Sequence, residues 1–123
     1  MDPLALTGAN VNEEEVGPER LLSISTEHVG DEVLLSVSGE LDMSSAPRLG
    51  SAVAQATTLD PLRRVVLDLS GTDFIDSSGL RAMLSAREQF ESRGCEFTLR
   101  APSPAVTRLL EITALADHFV IDA

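Results

Sequence analysis

The segment Val65-Val66-Leu67-Asp68-Leu69 passes, after a few residues, into Asp76-Ser77-Ser78-Gly79, beyond which Leu80, Met83, Leu84 and Phe90 recur with Arg87 among them. The first part has the apolar character of a buried strand, and the last has the spacing of a helix with one inward face. A short loop is expected between them. A buried strand feeding a helix constrains the chain to an α/β fold. It also puts two hydroxyls, on Ser77 and Ser78, at a helix N-terminus on the carboxyl edge of the sheet. Backbone N–H groups and the helix dipole favour an anion there. A serine in that place can carry a phosphate.

The flanking sequence extends the pattern. Leu22-Ser23-Ile24-Ser25 alternates with period two, Gly30-Asp31 reads as a turn, and Glu32–Ser38 reads as a second strand, so the pair is expected to form an antiparallel hairpin. After Gly39-Glu40-Leu41-Asp42, the run Ser44-Ser45-Ala46-Pro47 offers a serine cap with proline in the first turn, and Ala46, Leu49, Val53 and Ala56 fall on one helical face. The central strand is placed at Arg64–Leu69, and the helix from about Ser77 to Arg93-Gly94, where glycine stops it. Glu96–Arg100 reads as a strand, Pro102-Ser103-Pro104 opens a helix, and His118–Ile121 reads as a last short strand. The order is β-β-α-β-α-β-α-β. It predicts a mixed four- to five-stranded sheet with helices mainly on one face, its helix-linked strands parallel. Residues 1–20, with Glu13-Glu14-Glu15 and little periodicity, read as an acidic flexible tail ahead of one domain at residues 21–123.

Charge narrows the partners. The chain has 20 acidic residues against nine arginines and no lysine, a formal net charge of −11. Nucleic acids and anionic lipid surfaces select for basic proteins, so neither is expected as a partner. The amino end lacks the basic start and apolar core of a secretory signal, and the single cysteine, Cys95, permits no intrachain disulfide. A cytoplasmic protein with protein partners is the expectation. Cys95 is expected in or beside the core, and His28 and His118 show no metal-ligand spacing.

Gly39-Glu40-Leu41-Asp42, Val65–Leu69, Phe74-Ile75-Asp76-Ser77-Ser78-Gly79-Leu80 and Ser103-Pro104-Ala105-Val106 occur together in an order that resembles the STAS domain, specifically the free-standing bacterial anti-sigma factor antagonists. The resemblance spans roughly Leu21 to Ala123. It implies that the unmodified chain binds an anti-sigma factor with serine kinase activity and so frees a sigma factor. It implies further that the kinase phosphorylates Ser77 and that a metal-dependent serine/threonine phosphatase reverses the change, while the chain itself is expected to hold no cofactor. Ser78 is the alternative acceptor; its hydroxyl, one residue further into the helix, is expected to bond back to a carbonyl. Asp76 is expected to cap the helix and Gly79 to allow close approach. Glu40 and Asp42, expected on a loop, complete a partner surface with Asp76, Ser77, Ser78, Gly79 and Arg81. At Arg81 the chain departs from the resemblance, since many family members carry a glycine there.

Two other classes compete. A non-switching STAS scaffold, or an accessory subunit of a lipid-transport ATPase, would use the same fold without the serine. An enzyme fits less well: a phosphoacceptor receiver domain or a Walker loop needs a lysine, and Ser77 sits in Ile-Asp-Ser-Ser-Gly rather than in a nucleophile elbow.

Overall fold

The computed structural model describes residues 21–123. Its five strands lie in one sheet in the order of the chain: β1 (Ser23–Val29), β2 (Glu32–Leu41), β3 (Arg64–Ile75), β4 (Glu96–Arg100) and β5 (Val120–Asp122). Helices α1 (Ala46–Ala56), α2 (Ser77–Ser92) and α3 (Pro104–Thr113) link the strands from β2 onward, with a 3-10 turn at Ala116–His118 before β5. The opening hairpin is antiparallel and every helix-linked pair is parallel, as the element order predicts. The expected tail at residues 1–20 lies outside the described residues.

Register explains the core. Leu35 pairs with Leu67 and Leu67 with Leu99, and Val33, Val65 and Phe97 form the next row. All six are buried in one cluster. Leu49 and Val53 of α1, Leu80, Met83 and Phe90 of α2, and Val106 and Leu110 of α3 join it, so the three helices cover one face of the sheet. The other face carries Glu32 against Arg64 and Asp68 against Arg100. Asp68, to which sequence gave no role, accepts from Ser70 N–H, Ser70 Oγ and Arg100 Nε on that face.

Four sequence expectations are corrected. The loop after Leu69 does not exist, because β3 continues to Ile75. Its turn-forming residues Ser70-Gly71-Thr72-Asp73 are held in the ladder by β2, and two register shifts absorb two extra residues on β3. Likewise Gly39-Glu40-Leu41 is strand rather than loop, so Glu40 lies opposite Phe74. Ser45 stands at the N-cap of α1 without capping it; its hydroxyl donates to Glu40 O instead. The last strand begins at Val120, since Ala116–His118 turns first.

Side chains tie the layers where sequence alone showed only spacing. Ser103 caps α3 through Val106 N–H, and its hydroxyl donates to Thr72 O of β3 at 2.5 Å. Arg87, half-buried, reaches His118 O and lies over the Phe119 ring. Phe90 is fully buried and stacks on Phe97 with centroids 5.9 Å apart. Phe90→Ala is expected to cost about 3–5 kcal/mol, seen as a lower urea midpoint at unchanged slope.

Candidate functional site

The carboxyl ends of β2 and β3 lie side by side, Leu41 opposite Ile75, and each leads into a helix through an aspartate. The two junctions use the same device. Asp76 Oδ1 accepts from the N–H groups of Ser78 and Gly79 at 2.9 and 3.1 Å. Asp42 Oδ1 accepts from the N–H groups of Ser44 and Ser45, both at 3.0 Å, and from Ser44 Oγ at 2.9 Å. An extended Asp76, with φ −115° and ψ −171°, presents its carboxylate to the first turn of α2. Asp76 N–H in turn donates to Leu41 O at 3.3 Å, which joins the start of α2 to the end of β2.

That division of labour leaves the serines unused. With Asp76 as the cap, neither Ser77 Oγ nor Ser78 Oγ has a hydrogen-bond partner among the described residues. Ser77 is exposed and Ser78 half-buried. The expected backward bond from Ser78 to a carbonyl is absent there, so burial rather than bonding makes Ser78 the less accessible hydroxyl. Arg81 is exposed one turn further along α2.

Gly79 is buried where the chain is tightest. A Cβ there would stand 2.6 Å from Leu41 O and 2.8 Å from both Ile75 Cγ1 and Leu41 Cγ. The glycine thus serves packing of α2 against the β2 and β3 ends, and it is not at the surface.

Glu40 and Asp42, half-buried, are brought beside this junction. Two residues that sequence reasoning did not select join them: Met43 is 76% exposed and Phe74 is 47% exposed. The available signals were an apolar residue within a serine-rich turn and an aromatic out of phase with the inward positions of β3. The rim therefore combines exposed apolar side chains, carboxylates and one accessible hydroxyl.

The Ser44 hydroxyl holds Asp42 below the usual aspartate range, helped by Ser45 and opposed by partial burial. At Asp68 burial pushes upward, yet the Ser70 and Arg100 bonds outweigh it and the net direction is down. Among the described residues no group of His, Cys, Asp and Glu is arranged to hold a metal ion, and no helix is long and apolar enough to cross a membrane.

An exposed hydroxyl beside an aspartate-capped helix start, at the edge of a mixed sheet, marks this end of the α/β module. The chain belongs to the STAS domain family, whose model matches residues 23–123. It is 31% identical over 78 residues to the anti-sigma F factor antagonist of Paenibacillus polymyxa, covering 63% of this chain and 67% of that one. The crystal structure of an anti-sigma factor antagonist from Mycobacterium paratuberculosis is similar at a TM-score of 0.73 and 29% identity, over 83% of this chain and 86% of that one. The Bacillus cell fate determinant SpoIIAA in its phosphorylated form shares the fold at a TM-score of 0.64 and 20% identity, over 82% and 92% of the two chains.

Two outcomes test the geometry. Gly79→Ala is expected to lower stability by about 1–3 kcal/mol through overpacking, measured by denaturant unfolding. Asp42 has a folded-state pKa below its unfolded value, so its contribution is complete above the unfolded value and disappears as pH falls through the folded one. Ser44→Ala removes the largest cause, and NMR carboxyl titration is expected to show the Asp42 midpoint moving up toward the ordinary aspartate value.

Proposed function

We propose that this protein is an anti-sigma factor antagonist controlled by phosphorylation of Ser77. Unmodified, it binds an anti-sigma factor with serine kinase activity and thereby frees a sigma factor; the kinase modifies Ser77, and a serine phosphatase resets it. The observation that carries the reading is the exposed Ser77 hydroxyl, which has no partner among the described residues because Asp76 caps the helix. The names of its relatives among the anti-sigma factor antagonists support the same reading.

The docking surface comprises Glu40, Asp42, Asp76, Ser77, Ser78 and Arg81, with Met43 and Phe74 as apolar contacts and buried Gly79 holding the rim in shape. A kinase needs a hydroxyl that reaches a γ-phosphate in line, and Ser77 offers one without unfolding the helix. The modification adds about −1.5 to −2 charges to a rim already rich in carboxylates. At the first turn of α2 that anion is compatible with the helix dipole, so the domain stays folded. The binding surface changes instead. Desolvation and like-charge contact with the partner cost on the order of several kcal/mol, and each ~1.4 kcal/mol is tenfold in affinity.

Incubation with host lysate and ATP, followed by phosphopeptide mass spectrometry, is expected to place the modification on Ser77 and to find none in Ser77→Ala. In parallel capture experiments the wild type is expected to retain a kinase-like anti-sigma factor, and Ser77→Asp to lose it at least tenfold. Equal capture by both baits refutes the switch and leaves a scaffold or accessory role.

A further inference from the structure

We propose that Arg81 is the intramolecular receptor for a phosphate on Ser77, so that modification creates an ion pair along α2. The inference rests on the reading of Ser77 as phosphoacceptor and adds what holds the phosphate once it is there.

Ser77 and Arg81 lie four residues apart on α2, both exposed, and so share one face of the helix. Long helical side chains lean toward the N-terminus, over the turn before their own Cα. The helical tendency thus directs the Arg81 side chain toward the turn that carries Ser77. Negative charge placed N-terminal to a cation at this spacing is the favourable orientation.

Arg81 is also free to accept that role. Arg48, Arg63, Arg64, Arg87, Arg93 and Arg100 each hold a carbonyl or a carboxylate. Among the described residues Arg81 makes no hydrogen bond or ion pair. Its helical neighbours three and four residues away are Ser77, Ser78, Leu84 and Ser85, none of them charged. The nearest carboxylate in sequence, on Asp76, is committed to two backbone N–H groups. Phosphorylation supplies the anion that this arginine lacks, and the planar guanidinium suits bidentate contact with phosphate oxygens.

The pair favours the phosphate dianion and lowers its second pKa. The carboxylates of the packed elements, Asp73 and Asp76 on the β3–α2 junction and Glu40 and Asp42 at the β2 end, act in the opposite direction. On α1, Arg48 is occupied by Leu22 O. These surroundings are the same whether or not Arg81 is present, so a comparison of variants isolates the arginine.

Phosphoserine is introduced at position 77 during translation by a suppressor tRNA, which requires no host kinase, and titrated by 31P NMR at low salt. The wild type is expected to titrate about 0.2–0.4 pH unit below Arg81→Ala, with Arg81→Lys between them and the gap shrinking in concentrated salt. Circular dichroism of each variant confirms that the exposed substitution leaves the fold intact. Coincident titration of wild type and Arg81→Ala at low salt overturns the proposal. A gap alongside an unmodified Ser77 in lysate upholds the pair and refutes only the switch; coincidence alongside modification refutes only the pair.

Discussion

Leu41 O sets the geometry on which the functional rim depends. It accepts Asp76 N–H at 3.3 Å, and a Cβ at position 79 would come within 2.6 Å of it. One carbonyl thus fixes both where β3 ends and how closely α2 approaches. The bond holds Asp76 extended, which aims its carboxylate at the first turn of the helix. With the cap supplied from Asp76, the Ser77 side chain has no structural duty and stands in solvent.

A second aspartate turn, at Asp42, anchors the adjacent strand end through Ser44 and Ser45. Such anchoring suits the proposed switch, in which charge alone changes the surface. A phosphate at Ser77 meets a helix N-terminus that favours it and a carboxylate neighbourhood that does not. The fold is indifferent, and the partner experiences the difference. On the reading proposed, Arg81 gives that phosphate a partner on its own helix.

Much of this was legible from residue order. The hairpin, the parallel strands, the apolar face of α2 and the position of Ser77 follow from periodicity and from glycine, proline and serine punctuation, because those signals act within a few residues. The errors share one cause. Ser70-Gly71-Thr72-Asp73 are turn formers locally, yet β2 pairs with them and carries β3 onward through two bulges. Ser45 has the local signature of a cap, yet Glu40 O lies close enough to take its hydroxyl. Met43 and Phe74 escaped notice because exposure is a property of the assembled sheet.

The sequence by itself determined the element order, the aliphatic core, the acidic character and the pair of serines at a helix start, since each depends on composition or on spacing along one chain. Tertiary structure decided which serine is open, which aspartate caps, that Gly79 is a packing residue and that Arg81 has no partner among the described residues. Those outcomes depend on groups far apart in sequence competing for the same hydrogen bonds and the same space. Such competition is resolved only when the strands and helices are side by side.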